Sequence, residues 1–278
     1  MRLYLITIAF VICAGSAANA QKTPNNLPPA APLVIGETFT IDSKVMHEVR
    51  RINVYKPPGY TDSSERVPVL YMPDGGMAED FLHVAGLVQV GVGNGTMRPF
   101  LLIGIENTER RRDTTGPTDN PEDRKIAPRV GGSALFREFI RKELMPLIKA
   151  RYRTTDETAI VGESLAGLFV VETFLREPDM FDTYIAFDPS LWWNSGKLVT
   201  EASALLKGRQ WRGKSLYIAT SSNAGRTDLA SRLSTALEGS AAAGLNWHYT
   251  TLPAETHATI YHPAALQAFR VMFKPRSQ

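Results

Sequence analysis

Residues 158–175 constrain the fold more than any other stretch, because a short β-rich run passes into an apolar helical pattern through one serine, Ser164. So sharp a turn from strand to helix holds its serine in a strained backbone conformation and lifts the hydroxyl above the sheet edge. Gly162 and Ala166 are small enough to let strand and helix approach closely. The usual pattern is G-x-S-x-G, whereas Ala166 occupies the last position here and Gly167 follows it. The segment therefore predicts a nucleophile elbow with Ser164 as the nucleophile.

The order of strand-like and helix-like runs around this elbow predicts an α/β fold with an open, mostly parallel sheet and helices on both faces. Runs at 39–41 and 49–55 predict an initial antiparallel pair, and nearly all-apolar runs at 67–72 and 100–105 predict buried strands. Proline recurs in residues 106–132, which predict a long loop of a kind that is usually functional. The remaining predicted elements are strands at 158–161, 183–187, 215–220 and 247–252, and helices at 78–90, 134–151, 197–206, 228–243 and 263–273. No repeat or change in composition divides residues 33–278, which predict a single domain.

The first 20 residues have the pattern of a secretory signal peptide. Arg2 precedes a short apolar run, and small residues end at Ala20, after which we expect cleavage. A helix that spans a bilayer needs roughly 20 apolar residues, so we expect no membrane anchor after cleavage and a periplasmic or secreted protein. Residues 21–32 predict a flexible lead-in. Cys13 is the single cysteine, and the mature chain would have neither disulfides nor cysteine-ligated metal.

The formal net charge of +3 is too mild to predict nucleic-acid binding, since no basic face recurs along the chain. The spacing of potential ligands predicts no metal site. The chemistry of an activated serine needs neither a metal nor a cofactor. We therefore expect the partner to be a small molecule.

A serine hydroxyl is a poor nucleophile at neutral pH and needs an imidazole that takes its proton and later returns it. The chain order expected in this architecture is serine, acid, histidine. His257 lies in the loop after the last predicted strand, and His262 begins the last predicted helix. The other histidines precede Ser164 or lie within a strand. We therefore predict His257 as the base, with His262 as the alternative.

The acid and the oxyanion hole are predicted from their places after the strands. The usual acid follows the strand at 215–220, where Asp228 is the first carboxylate and is our prediction. Asp188, after the preceding strand, and a serine–histidine dyad without an acid are the alternatives. The amides of Leu165 and Gly76 are the predicted oxyanion donors. Glu163, beside the nucleophile, is predicted to be structural.

Two pairs of residues near these strand ends are candidates for substrate binding. Trp192 and Trp193 either pack in the core or form a wall of an acyl or aryl pocket. Arg110 and Arg112 belong to a loop cluster that is either solvated or an anion-recognising lip, because guanidinium groups suit carboxylates and catecholates.

The chain resembles the "putative esterase" family of α/β-hydrolases, in the branch related to trilactone siderophore esterases and esterase D. The matching stretches cover nearly the whole mature chain and are 69–75, 105–108, 110–113, 139–148, 162–168, 189–193 and 255–257. The resemblance implies an α/β-hydrolase fold with a minimal cap. It also implies hydrolysis of small acyl, aryl or siderophore-type esters through an acyl-enzyme, with Ser164 as nucleophile and His257 as base, and permits a dyad. A thioesterase or peptidase on the same fold, or a non-catalytic ligand-binding homologue, is the alternative.

Overall fold

The strands of this protein pair into one sheet. The structure is a computed structural model that describes residues 29–222, 224–240 and 244–275, and for residues 224–227 it describes the backbone without the side chains. The predicted signal peptide at 1–20 and residues 21–28 of the predicted lead-in lie outside this part. The chain from Ile35 onward forms one compact unit. The strands are β1 (Glu37–Ser43), β2 (Glu48–Tyr55), β3 (Val67–Pro73), β4 (Leu101–Ile105), β5 (Thr154–Glu163), β6 (Thr183–Phe187), β7 (Ser215–Thr220) and β8 (Asn246–Thr251).

Within the described residues the strand order is β1-β2-β4-β3-β5-β6-β7-β8. The β1–β2 and β2–β4 pairs are antiparallel, and every later pair is parallel. The predicted initial pair and the mostly parallel sheet are therefore confirmed. β6 and β7 have the predicted bounds, whereas β5 begins four residues before the predicted 158.

Helices follow the strands as predicted, with two differences. The predicted helix at 134–151 is divided by a π-helical turn, Ile140–Leu144, which comes just before Pro146, a residue without the N–H that a regular helix needs. The predicted loop at 106–132 contains two short helices. The helices are α1 (Phe81–Gly93), α2 (Arg110–Asp113), α3 (Pro121–Lys125), α4 (Ser133–Phe139), α5 (Met145–Arg151), α6 (Ser164–Arg176), α7 (Trp193–Leu206), α8 (Ala224–Gly239) and α9 (Tyr261–Met272).

The core has two layers, one on each face of the sheet. Along β3, Val69 and Tyr71 belong to the layer under α4, α6 and α7, whereas Leu70 and Met72 belong to the layer under α1 and α9. This alternation is the period of two that a strand imposes on its side chains. Because both faces of β3 are buried, the strand is apolar throughout and occupies the centre of the sheet.

Three neighbouring strands end in the same way. The residues that directly follow β3, β5 and β6 are Asp74, Ser164 and Asp188, with φ angles of 58°, 60° and 38°. Left-handed backbone is unfavourable for residues with a side chain and concentrates at functional sites. Since β5 pairs with both β3 and β6, the three residues lie along one stretch of the carboxyl edge of the sheet.

Candidate active site

The elbow around Ser164 depends on close backbone approach at two glycines. A β-carbon on Gly162 would lie 2.7 Å from the carbonyl carbon of Ala166, so no larger residue fits there without a shift. A β-carbon on Gly167 would lie 3.0 Å from the carbonyl oxygen of Phe187 at the end of β6. The departure from G-x-S-x-G is therefore small, since Ala166 is accommodated and Gly167 provides the close approach to β6.

His257 lies between the serine and a carboxylate. Its Nε2 is 3.0 Å from Ser164 Oγ, and its Nδ1 is 3.1 Å from Asp188 Oδ2. The histidine belongs to the segment between β8 and α9, as the sequence predicts, and its side chain is 35% exposed. The alternative, His262, lies in α9 with its ring 5.7 Å from that of His83. The arrangement places one imidazole within hydrogen-bonding reach of both partners, as proton transfer requires.

Asp188 is held firmly in this arrangement. Its residue is 0% exposed, and Ser221 donates its backbone N–H to Oδ1 at 2.7 Å and its hydroxyl to Oδ2 at 2.6 Å. Burial raises the pKa of Asp188, but the hydrogen bonds from His257 and Ser221 outweigh burial, and the net pKa lies below the ordinary value. The carboxylate is therefore ionised at neutral pH and can orient the imidazole.

The prediction of Asp228 as the acid is corrected by this geometry. Asp228 is exposed in α8, whereas His257 Nδ1 faces Asp188 at the end of β6. The loop after β7 contributes Ser221, whose two donors fix Asp188, instead of a carboxylate. The arrangement thus has a carboxylate at the position of a triad acid, and substitution of Asp188 tests whether catalysis needs it.

Glu163, which the sequence analysis predicts to be structural, lies beside His257. Its Oε1 lies 3.0 Å from His257 Nδ1, and its side chain is 15% exposed. Burial raises the pKa of Glu163 above the ordinary value, although His257 and Arg110 lower it. A charged residue directly after the apolar run of β5 is the sequence signal that points to it, because such a position is seldom solvated.

The predicted oxyanion donors differ in availability. Leu165 is the second residue of α6, where backbone N–H groups have no partner within the helix. The Gly76 N–H donates to Glu79 Oε2 at 2.7 Å. Asn107 Nδ2 donates both to Glu79 Oε1 at 2.9 Å and to Asp74 Oδ1 at 2.6 Å. Of the two predicted oxyanion donors, the Gly76 amide therefore already donates to the Glu79 carboxylate.

The two tryptophans and Arg110 differ in their exposure and their partners. Trp193 is 4% exposed and donates Nε1–H to the Gly116 carbonyl at 2.8 Å, which favours the alternative in which it packs in the core. Trp192 is 38% exposed and remains a candidate. Arg110 forms a bidentate pair with Asp74 at 2.7 and 2.8 Å.

Arg112 is paired with two carboxylates of the protein. It donates to Glu48 at 2.6 and 3.0 Å and to Asp113 at 2.6 Å, and its side chain is 14% exposed. The predicted anion-recognising lip at Arg112 is therefore corrected, because the guanidinium faces protein carboxylates.

Within the described residues, no group of three or more His, Cys, Asp or Glu side chains is arranged to hold a metal ion. In the same part of the chain, no helix has both the length and the apolar character needed to cross a membrane.

The fold and the elbow define the class of protein. A mostly parallel sheet in this strand order, with a serine in a left-handed turn after β5 and its histidine after β8, is an α/β-hydrolase. The chain belongs to the family described as "Putative esterase", whose model matches residues 43–258.

Several known proteins are similar to the chain. It is 40% identical over 114 residues to the ferri-bacillibactin esterase BesA of Bacillus subtilis, covering 38% of this chain and 37% of the relative. It is 34% identical over 207 residues to the siderophore triacetylfusarinine C esterase of Aspergillus fumigatus, covering 66% of this chain and 65% of the relative. The crystal structure of an IroE-like serine hydrolase from Shewanella oneidensis is similar with a TM-score of 0.77 and 29% identity, over 86% of this chain and 80% of that one. The matches thus span less than two thirds of the length of these two relatives.

Proposed function

We propose that this protein hydrolyses carboxylic esters through an acyl-enzyme intermediate on Ser164. The observation that supports the proposal most directly is the continuous contact from Ser164 Oγ to His257 Nε2 at 3.0 Å and from His257 Nδ1 to the buried Asp188 at 3.1 Å. Serine hydrolases on unrelated folds use this relay, in which the acid holds the imidazole in the tautomer that can accept the serine proton. Membership of the esterase family is consistent with the same chemistry.

The proposed reaction has two halves. In the first, Ser164 Oγ attacks the ester carbonyl, its proton passes to His257 Nε2, and Asp188 stabilises the resulting imidazolium. The Leu165 N–H donates to the developing oxyanion, as does the Gly76 N–H once Glu79 withdraws from it. His257 then gives its proton to the leaving alkoxide. In the second half, His257 Nε2 takes a proton from water, and the resulting hydroxide attacks the acyl carbonyl. The bond from the carbonyl carbon to Ser164 Oγ then breaks, His257 returns its proton to Oγ, and the carboxylic acid leaves.

For the substrate, we propose an ester with a bulky apolar or aryl group, of the kind found in siderophores. The named relatives are esterases of ferri-bacillibactin and triacetylfusarinine C. Two exposed apolar side chains follow the strands on either side of β5: Met77, 50% exposed, comes after β3, and Trp192 comes after β6. Apolar surface at such strand ends is where an α/β protein binds ligands.

Active-site labelling tests the proposed mechanism. We expect a fluorophosphonate probe to react with the full-length folded protein at a stoichiometry of about one, with the added mass on the peptide that contains Ser164. Ser164→Ala should not react. His257→Gln should react far more slowly while it retains the wild-type circular dichroism spectrum. A folded protein that does not take up the probe would overturn the proposal, whatever the substrate.

An ester panel addresses the substrate. Matched acetyl, aryl and trilactone siderophore esters, together with a thioester, should be compared by kcat/KM. We expect the aryl and siderophore esters to exceed the acetyl ester, and Trp192→Ala to reduce that preference. Equal rates on all the oxygen esters would contradict the proposed pocket, and a faster thioester would reassign the reaction to a thioesterase.

We also propose that the protein is exported after removal of residues 1–20. The apolar run and the small residues up to Ala20 support this proposal. Intact-mass analysis of the protein recovered from its natural host should give a mature chain that begins at Gln21. Recovery with Met1 from the cytoplasmic fraction would contradict it.

A further inference from the structure

The imidazole of His257 has two carboxylates beside the same nitrogen. Nδ1 lies 3.1 Å from Asp188 Oδ2 and 3.0 Å from Glu163 Oε1. One N–H bond points from Nδ1 in the plane of the ring, and its direction suits Asp188, since within the described residues Glu163 Oε1 is a buried oxygen to which no donor is aligned for a hydrogen bond. Asp188 therefore takes the hydrogen bond, and Glu163 contributes its charge at almost the same distance.

Glu163 is in an unfavourable position for a residue with only a structural role. A buried carboxylate oxygen without an aligned donor costs free energy, and an apolar residue would avoid that cost. Asp188 and Asp80 add negative charge near the Glu163 carboxylate, and Arg110 adds a positive charge. The hydroxyl of Tyr261 is buried and uncharged, so it does not balance the negative charge. The partner that makes the position favourable is therefore His257 in its protonated form.

We propose that Glu163 is a second positioning carboxylate for His257, which stabilises the imidazolium by its charge and can accept the Nδ1–H when Asp188 is removed. The inference rests on the proposed esterase function for its catalytic consequence. Glu163 gains no proton in the reaction: the proton of Ser164 Oγ goes to His257 Nε2 and from there to the leaving alkoxide. The carboxylate acts through the imidazole and touches no reacting atom.

Glu163→Gln keeps the shape of the side chain and removes its charge. We expect the acid limb of the kcat/KM profile to move to lower pH by about 0.5–1 unit, because the imidazolium loses an opposite charge within about 4 Å. The matched control is Glu255→Gln, which removes the same charge two residues from His257 and leaves in place the backbone carbonyl of residue 255, which accepts the Ser222 N–H. The control should leave the acid limb unchanged. An unmoved limb in Glu163→Gln would overturn the proposal.

An NMR titration makes the test independent of turnover. The His257 ring signals, assigned by comparison with His257→Gln, should titrate at lower pH in Glu163→Gln than in the wild type and in Glu255→Gln. If the wild type hydrolyses no ester but this shift is seen, the esterase proposal falls and the role of Glu163 stands. If esters are hydrolysed and the shift is absent, the role of Glu163 falls alone.

If Glu163→Gln does not fold, Glu163→Asp provides the same test. Its carboxylate is withdrawn by one methylene and keeps its charge, so we expect a smaller shift in the same direction. Titration of His257 at the wild-type pH in this variant would overturn the proposal.

Discussion

Substitution of Asp188 by asparagine tests the relay at its most buried member. The structure determines how the new amide must lie. The Ser221 backbone N–H, which cannot become an acceptor, holds the oxygen that replaces Oδ1, so the NH2 group takes the place of Oδ2 and faces His257 Nδ1. Two donors would then meet at Nδ1 unless His257 moves its proton to Nε2. That tautomer cannot accept the proton of Ser164.

The magnitude follows from what remains beside the imidazole. Removal of the acid of a serine–histidine–aspartate triad costs about 10⁴-fold in kcat, or about 5.5 kcal/mol, in other systems. In this protein Glu163 Oε1 lies 3.0 Å from Nδ1, close enough to accept its proton once Asp188 no longer does. We therefore expect Asp188→Asn to lower kcat by about 10³-fold, or about 4 kcal/mol, with the remaining factor of about ten lost in the double variant with Glu163→Gln.

The assay is steady-state hydrolysis of a neutral aryl ester at pH 8, with active sites counted by phosphonate titration so that kcat refers to folded enzyme. Asp228→Asn is the control, because it removes an exposed carboxylate from α8. Its kcat should stay within about twofold of the wild type. A loss below tenfold in Asp188→Asn would refute the triad reasoning in favour of a dyad, and a full loss of about 10⁴-fold in that single variant would remove any contribution of Glu163.

Three further substitutions have defined expectations. Glu79→Gln should raise kcat by about 3- to 10-fold, since a neutral amide holds the Gly76 N–H less strongly than a carboxylate does, and a fall in kcat with unchanged Tm would contradict the use of that amide. Gly162→Ala should destabilise the fold by about 3 kcal/mol in urea unfolding, whereas Gly86→Ala, where a β-carbon meets nothing within 4 Å, should be neutral or stabilising. Glu163→Gln should raise Tm at pH 8, because burial raises the pKa of Glu163 and the ionised form therefore destabilises the folded state. Wild-type stability recovers as Glu163 takes up a proton, so the difference in Tm should shrink from pH 8 towards pH 5, and a constant difference would contradict this account.

The parts of the fold that the sequence predicts well depend on local patterns. β6 and β7 are short apolar runs bounded by polar residues, and their observed bounds agree with the prediction. The elbow combines a small residue, a serine and an abrupt change of hydrophobic period within a few positions. The helices within residues 106–132 are not predicted by such patterns, because α2 and α3 have only four and five residues and are too short to show a helical period.

The acid could not be chosen from the sequence, because strand order leaves the ends of both β6 and β7 near the histidine. The choice depends on contacts between distant residues. Asp188 donates its N–H to the Ala219 carbonyl at 2.8 Å and accepts from Ser221, so the end of β7 fixes the carboxylate that follows β6. A sequence signal was nevertheless present, since Asp188 directly follows an all-buried strand, where an isolated carboxylate is costly.

The distant partners of the arginines could not be predicted from the sequence either, because they too depend on contacts between residues far apart in the chain. A run of three arginines in a loop is typical of a solvated or anion-binding cluster, and Asp113, next to Arg112, is a partner that a local pattern could indicate. The distant partner of Arg110 is Asp74, 36 residues earlier, and that of Arg112 is Glu48, 64 residues earlier. Pairing between residues this far apart in the sequence depends on the strand order, and a local sequence pattern does not predict it.

The left-handed ends of β3, β5 and β6 place three polar side chains along one edge of the sheet. Each strand is followed by one left-handed residue, and each of these residues directs its polar side chain to a partner from another part of the chain: Asp74 to Arg110, Ser164 to His257, and Asp188 to His257 and Ser221. Arg110 also lowers the pKa of Glu163 and so favours its ionised form. The arginine that the sequence suggests as a substrate ligand is therefore paired within the protein, and its charge partly offsets the effect of burial on the pKa of Glu163.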